Sequence, residues 1–110
     1  MKLYPLILDV LRRLQPVIES IRQHDRYLAD QLARASKSIA LNYSEGVYSR
    51  RGNRAARLHH AMGSAKETVS CLEIAEVTKL VERDEKMLDD LDRIVATLFV
   101  WLRRPKRQSD

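Results

Sequence analysis

A chain of 110 residues with 45% hydrophobic and 32% charged residues is long enough for one domain with its own core. With only 3 Gly and 3 Pro it lacks the punctuation that many short strands need, which points to an all-α protein with short connections. One cysteine, Cys71, excludes an internal disulfide framework and suits a reducing compartment. Asp9, Arg12 and Arg13 break up the apolar N-terminal stretch, so no signal peptide is expected. The longest apolar run, Ile94 to Leu102, is too short to span a bilayer. The expectation is a soluble, cytoplasmic protein that does not enter a membrane. The net charge of +5 is unevenly spread: residues 1–60 carry eleven Lys/Arg against five Asp/Glu, and residues 61–110 carry nine against ten. Such a division suits docking, either on a polyanion or on copies of the same chain.

In chain order, Leu3, Ile7, Leu11, Leu14, Ile18 and Ile21 follow the four-three spacing of one helix face and predict a first helix over 3–24. Pro16 falls inside it and should kink it. Leu6, Val10 and Val17 add a second apolar line. Asp25 is the expected N-cap of a second helix over 26–48, with Asp30 and Arg34 paired on its wet side. Ser49-Arg50-Arg51-Gly52 reads as a turn and Asn53 as the cap of a third helix over 53–81, with Leu58, Met62, Ala65, Val69 and Leu72 inward. Asp84 should cap a fourth helix over 84–104, with an inner line of Leu88, Leu91, Val95, Leu98 and Leu102. Met87, Ile94 and Trp101 make an adjacent line, and residues 103–107 read as a polar, frayed tail.

Four helices with short turns predict an antiparallel up-down-up-down four-helix bundle as one domain over 1–110. The second apolar lines on the first and last helices suggest self-association; the other reading is a wide core face.

Within the second helix, Ser38, Asn42 and Glu45 share a face with Ala35, Ile39 and Gly46. A polar seam on an apolar face needs partners, and Ser64 and Glu67 of the third helix are the expected ones. The five residues read as a buried or half-buried network that fixes helix register. No catalytic role follows. There is no Glu-x-x-His, His59 and His60 point to different sides of a helix, and no nucleophile elbow, phosphate loop or zinc motif occurs. Cys71 reads as a small buried apolar residue. No metal site, cofactor or enzymatic activity is expected.

Between Glu45 and Glu67 stand Arg50, Arg51, Arg54, Arg57 and Lys66, with His59 and His60 and no acid. Arg50, Arg54 and Arg57 can share a face at the positive end of the third helix, a favourable place for phosphate. Arg34 and Lys37 extend the set, and Tyr43 or Tyr48 offers a stacking surface. Three readings stay open: DNA or RNA contact, pairing with the acidic stretch Glu73–Asp92 of a neighbouring copy, or a solvated surface.

The stretch Gln31-Leu32-Ala33-Arg34-Ala35-Ser36-Lys37-Ser38-Ile39 with Asn42 and Glu45-Gly46, followed by Gly63-Ser64 and Glu67, resembles a family of bacterial four-helix-bundle proteins. It includes proteins encoded in intervening sequences of large-subunit ribosomal RNA genes, and the accessory variability protein Avd of diversity-generating retroelements. The resemblance covers residues 6–102. It implies an antiparallel bundle that assembles as a ring-shaped homopentamer with a basic surface; in the Avd branch it implies a reverse transcriptase partner and nucleic-acid binding. Ser44 stands where the family often has an aliphatic residue before Glu-Gly, and Arg54-Ala55-Ala56-Arg57-Leu58 is more basic and less bulky than the usual start of the third helix. The match is therefore better to the general family than to the retroelement branch.

Overall fold

The computed structural model describes residues 3–49 and 51–103, with Arg51 and Gly52 in their backbone alone. Four helices follow one another: α1 (Leu3–Arg22), α2 (Arg26–Tyr48), α3 (Arg51–Val77) and α4 (Glu85–Arg103). Sequential neighbours pack together and α4 returns to α1, so the four form an all-α bundle, with principal extents of 50 × 22 × 20 Å. Of the four neighbouring pairs, α2–α3 packs most extensively and α1–α4 least.

Two of the helix starts follow from their caps. Asp25 accepts from the Leu28 amide at 2.9 Å, and Asp84 accepts from the Met87 amide at 3.0 Å, each satisfying one of the orphan donors of a first turn. The third helix departs from expectation at both ends. It begins at Arg51, so Asn53 lies inside it and is no cap. The cause is a tight close to α2: Ser49 turns extended, its amide bonds the Gly46 carbonyl at 3.2 Å, and its hydroxyl donates to the Glu45 carbonyl at 2.5 Å. At its far end α3 stops at Val77, four residues early. Leu80 N–H bonds the Ala75 carbonyl at 2.8 Å and Lys79 N–H the Glu76 carbonyl at 3.0 Å, the Schellman pattern, with Lys79 at φ 66° where glycine is usual. Lacking that glycine, the sequence conceals the stop. At its C-terminal end α1 stops at Arg22 and α4 is described to Arg103; Arg50 and the tail beyond 103 lie outside the described residues. Pro16 sits inside α1, which continues past it to Arg22.

The core differs from the sequence pattern in rotation. On α1 the buried line is Leu3, Ile7, Val10, Leu14, Ile18 and Ile21, with Leu11 half-buried. On α4 it is Met87, Leu91, Ile94 and Leu98, while Leu88, Val95 and Leu102 pack at its edge. The second apolar lines on α1 and α4 are therefore largely spent within the protomer, as a wide core face. On α3 the inward residues are Leu58, Ala61, Ala65, Thr68, Cys71, Leu72 and Ala75, with Met62 and Val69 at the margin. Small residues there let α2 approach, most closely at Gly46: a Cβ at that position would lie 2.7 Å from Leu58 Cδ2 and 3.2 Å from Arg57 Cβ.

One buried carboxylate joins the least-packed pair. Asp90 of α4, 3% exposed, accepts hydrogen bonds from Arg13 of α1 and from Lys86 at 2.9 Å, and Arg13 also bonds Asp9 at 2.9 Å. Burial by itself would raise the Asp90 carboxyl, but the hydrogen bonds from Lys86 and Arg13 outweigh it and hold the group below its ordinary value. The expected Asp30–Arg34 pair does not form. Arg22 at the end of α1 takes Asp30 instead, at 2.5 Å.

Candidate functional site

The α2–α3 seam carries a chain of polar contacts. Ser64 Oγ donates to Ser38 Oγ at 2.7 Å, and Asn42 Nδ2 donates to Ser38 Oγ at 2.9 Å and to the Ser38 carbonyl at 3.0 Å. Arg57 of α3 closes the other end, donating to Asn42 Oδ1 at 3.4 Å and pairing with Glu45 at 3.1 Å. Ser38, Asn42 and Ser64 are half-buried and Glu45 is exposed. The Ser64–Ser38, Arg57–Asn42 and Arg57–Glu45 links cross between the helices, so sliding α3 along α2 by one turn would break all three, while the Asn42–Ser38 bonds within α2 orient the side chains that make them. Glu67 stands apart: it is exposed and makes no hydrogen bond among those described. The buried line of α3 runs through 61, 65 and 68, which turns position 67 toward solvent.

The basic residues divide into two groups. Arg54 and Arg57 lie on the first two turns of α3, at the end of the bundle where α2 finishes. Because α4 runs antiparallel to α3, its last residue Arg103 comes to that same end, with its guanidinium 5.4 Å from the Phe99 ring centroid. Arg34, Lys37 and Lys66 lie farther along the bundle. Lys66 is two residues from Ser64, about 200° round the helix, and so faces away from α2 and from Arg34. Arg57 is not a free cation, since it is committed to Glu45. The Arg51 side chain and all of Arg50 lie outside the described residues.

Tyrosines behave in two ways at this end. Tyr43 is buried, stacked on Tyr4 at 5.8 Å between centroids and tilted against Trp101 at 6.2 Å. Burial pushes its hydroxyl pKa up, while the charge of Arg54 acts in the opposite sense. It belongs to the core and offers no face for stacking. Tyr48, 86% exposed, does.

At the far end the acids of the Glu73–Asp92 stretch are interleaved with cations. Arg83 bonds Glu85 at 2.6 Å and Glu76 at 3.2 Å, and Lys86 bonds Asp90. Among the described residues no group of three His, Cys, Asp or Glu is placed to hold a metal ion, and no helix is long and apolar enough to cross a membrane. Cys71 is buried, and burial, with Glu67 adding to it, raises its thiol. The Asp9–Arg13–Asp90 cluster was missed in sequence. Its one signal was an acid three residues from both Met87 and Arg93, on a helix whose apolar lines flank it.

No curated protein matches the chain. A solved structure from Bacteroides thetaiotaomicron, described as a protein with unknown function from the S23 ribosomal protein family, superposes with a TM-score of 0.85 at 20% identity. The match covers 93% of this chain and 99% of that one, and at this identity it speaks for the fold. The family model of the 23S rRNA-intervening sequence protein matches residues 7–99. With four helices in the same bundle and the match running from the first turns of α1 to the last of α4, the chain belongs to the 23S rRNA-intervening sequence protein family.

Proposed function

We propose that this protein is a non-enzymatic, oligomeric helical-bundle scaffold whose basic end contacts nucleic acid or a nucleic-acid enzyme such as a reverse transcriptase. The observation that carries the reading is the meeting of Arg54 and Arg103 at one end of a 50 Å bundle, where Tyr48 also exposes its ring and Arg57 is held by Glu45. Cations at the start of a helix attract phosphate, and an exposed ring gives a base something to stack on. The family description names a ribosomal RNA gene element, which agrees with a nucleic-acid setting. Self-association is supported by Tyr27 and Leu41, exposed on α2 two heptads apart. A homopentameric ring, as the resemblance implies, would repeat the basic end in every copy.

The test is a salt titration of binding to single- and double-stranded DNA and RNA, with sedimentation to give the copy number. Binding that falls steeply with salt, with a shallower slope in an Arg51→Gln/Arg54→Gln/Arg103→Gln variant, is the expected result. Arg57 is left in place because it holds Glu45. Absence of binding at low salt would overturn the reading and favour its rival, a protein-only adaptor whose basic end meets acidic protein surfaces.

A further inference from the structure

The outward faces of α2 and α4 carry stripes in the same phase. On α2, Arg34, Lys37, Leu41, Ser44 and Tyr48 follow one another at steps of three, four, three and four residues, and on α4 so do Asp89, Asp92, Ala96, Phe99 and Arg103. Neither stripe belongs to the core. Leu41 is 64% and Phe99 48% exposed, and Arg34, Lys37, Asp89, Asp92 and Ala96 are exposed too. Each of α2 and α4 packs on both α1 and α3, which puts them at opposite corners of the bundle, so the two stripes face opposite ways. Both helices run toward the arginine end. Arg22 has taken Asp30, and none of Arg34, Lys37, Asp89 and Asp92 forms an ion pair among the described residues. Each stripe therefore holds two like charges three residues apart, a mildly unfavourable arrangement on a helix surface.

We infer that the α2 face of one copy packs in parallel on the α4 face of the next, an inference that rests on the oligomeric part of the proposed function. In this register Arg34 meets Asp89, Lys37 meets Asp92, and Leu41 lies against Ala96 and Phe99. Opposite charges then offset the like pairs, and the exposed leucine and phenylalanine leave water together. An antiparallel pairing of the same faces would put Arg34 and Lys37 on Phe99 and Ala96. Either face paired in parallel with itself would put like charge on like. The last step, Tyr48 beside Arg103, joins the arginine end of one copy to that of the next. Because the contact uses two different faces, every pair of copies keeps one α2 face and one α4 face free, and assembly passes beyond two copies.

The test is charge reversal on the full chain without nucleic acid, read by sedimentation, with helicity checked by circular dichroism. Arg34→Glu/Lys37→Glu and Asp89→Lys/Asp92→Lys each set like charge against like, and each should raise the concentration at which copies associate about tenfold. The two variants mixed in equal amounts should associate again. So should the fourfold variant, in which acid and base have changed sides while the net charge stays at the parent's +5. Neither a damaged fold nor a general effect of surface charge would be rescued in this way. Association untouched by either pair of reversals overturns this interface, as does a fourfold variant that stays apart or a parent complex that stops at two copies. A parent that remains a single copy at its highest soluble concentration overturns the oligomeric reading as well. The salt titration with nucleic acid is read independently of both.

Discussion

Two glycines on adjacent helices separate backbone propensity from packing. Replacing either by alanine removes the same entropic penalty and gains roughly 0.8–1 kcal/mol of helix propensity. Their surroundings differ. At Gly63 a Cβ would meet nothing within 4 Å, so Gly63→Ala should keep most of that gain, raising the melting temperature by about 2–4 °C. At Gly46 the new Cβ would lie 2.7 Å from Leu58 Cδ2, 3.0 Å from Leu58 Cγ and 3.2 Å from Arg57 Cβ. Leu58 is 3% exposed within the core, and Arg57 Cβ moves only with its backbone, so α2 and α3 must part locally. Overpacking of this kind costs about 1–3 kcal/mol, which more than cancels the propensity gain and leaves a net loss of about 1 kcal/mol. The shift also carries Arg57 away from Asn42 and Glu45. Thermal and urea unfolding followed by circular dichroism at matched oligomeric state gives both numbers. A Gly46→Ala protein as stable as the parent, or more so, would refute the claim that this glycine exists for close helix approach.

Two further outcomes follow from the same geometry. Asp90 has a depressed carboxyl in the folded protein, so its contribution is present above the ordinary unfolded value near 4 and is lost as pH falls below it. Asp90→Asn should therefore cost about 1–3 kcal/mol at pH 7, with the gap to the parent closing toward pH 2–3; a gap independent of pH would show that the charge contributes nothing. Lys79 holds a left-handed conformation at φ 66°, so Lys79→Gly should stabilise by about 1 kcal/mol in urea unfolding, and a loss of stability would mean its side chain makes a contact that the turn needs.

Much of the bundle was legible because helices are local objects. Asp25 and Asp84 cap their helices by reaching three residues ahead, and such contacts can be read from spacing alone. The seam was legible for a related reason: Ser38 and Asn42 are four apart on an otherwise apolar face, and polar groups there require partners, one of which is Ser64. Its last member was misjudged. Glu67 has the spacing to join Ser64, but the rotation of α3 about its axis carries it to solvent, and Arg57 supplies the contact instead.

Four helices, the aspartate caps that begin two of them and a basic segment after a polar seam can all be read from local spacing. These depend on interactions within one or two turns. Helix packing, by contrast, sets which of two apolar lines on α1 and α4 is the core, that Asp90 is buried against Arg13, that α3 stops at Val77 before a left-handed Lys79, and that Arg103 stands at the arginine end. Each of those depends on how neighbouring helices are rotated and which ends meet. Apolar periodicity marks a broad face, and the burial available against the other three helices selects the line within it.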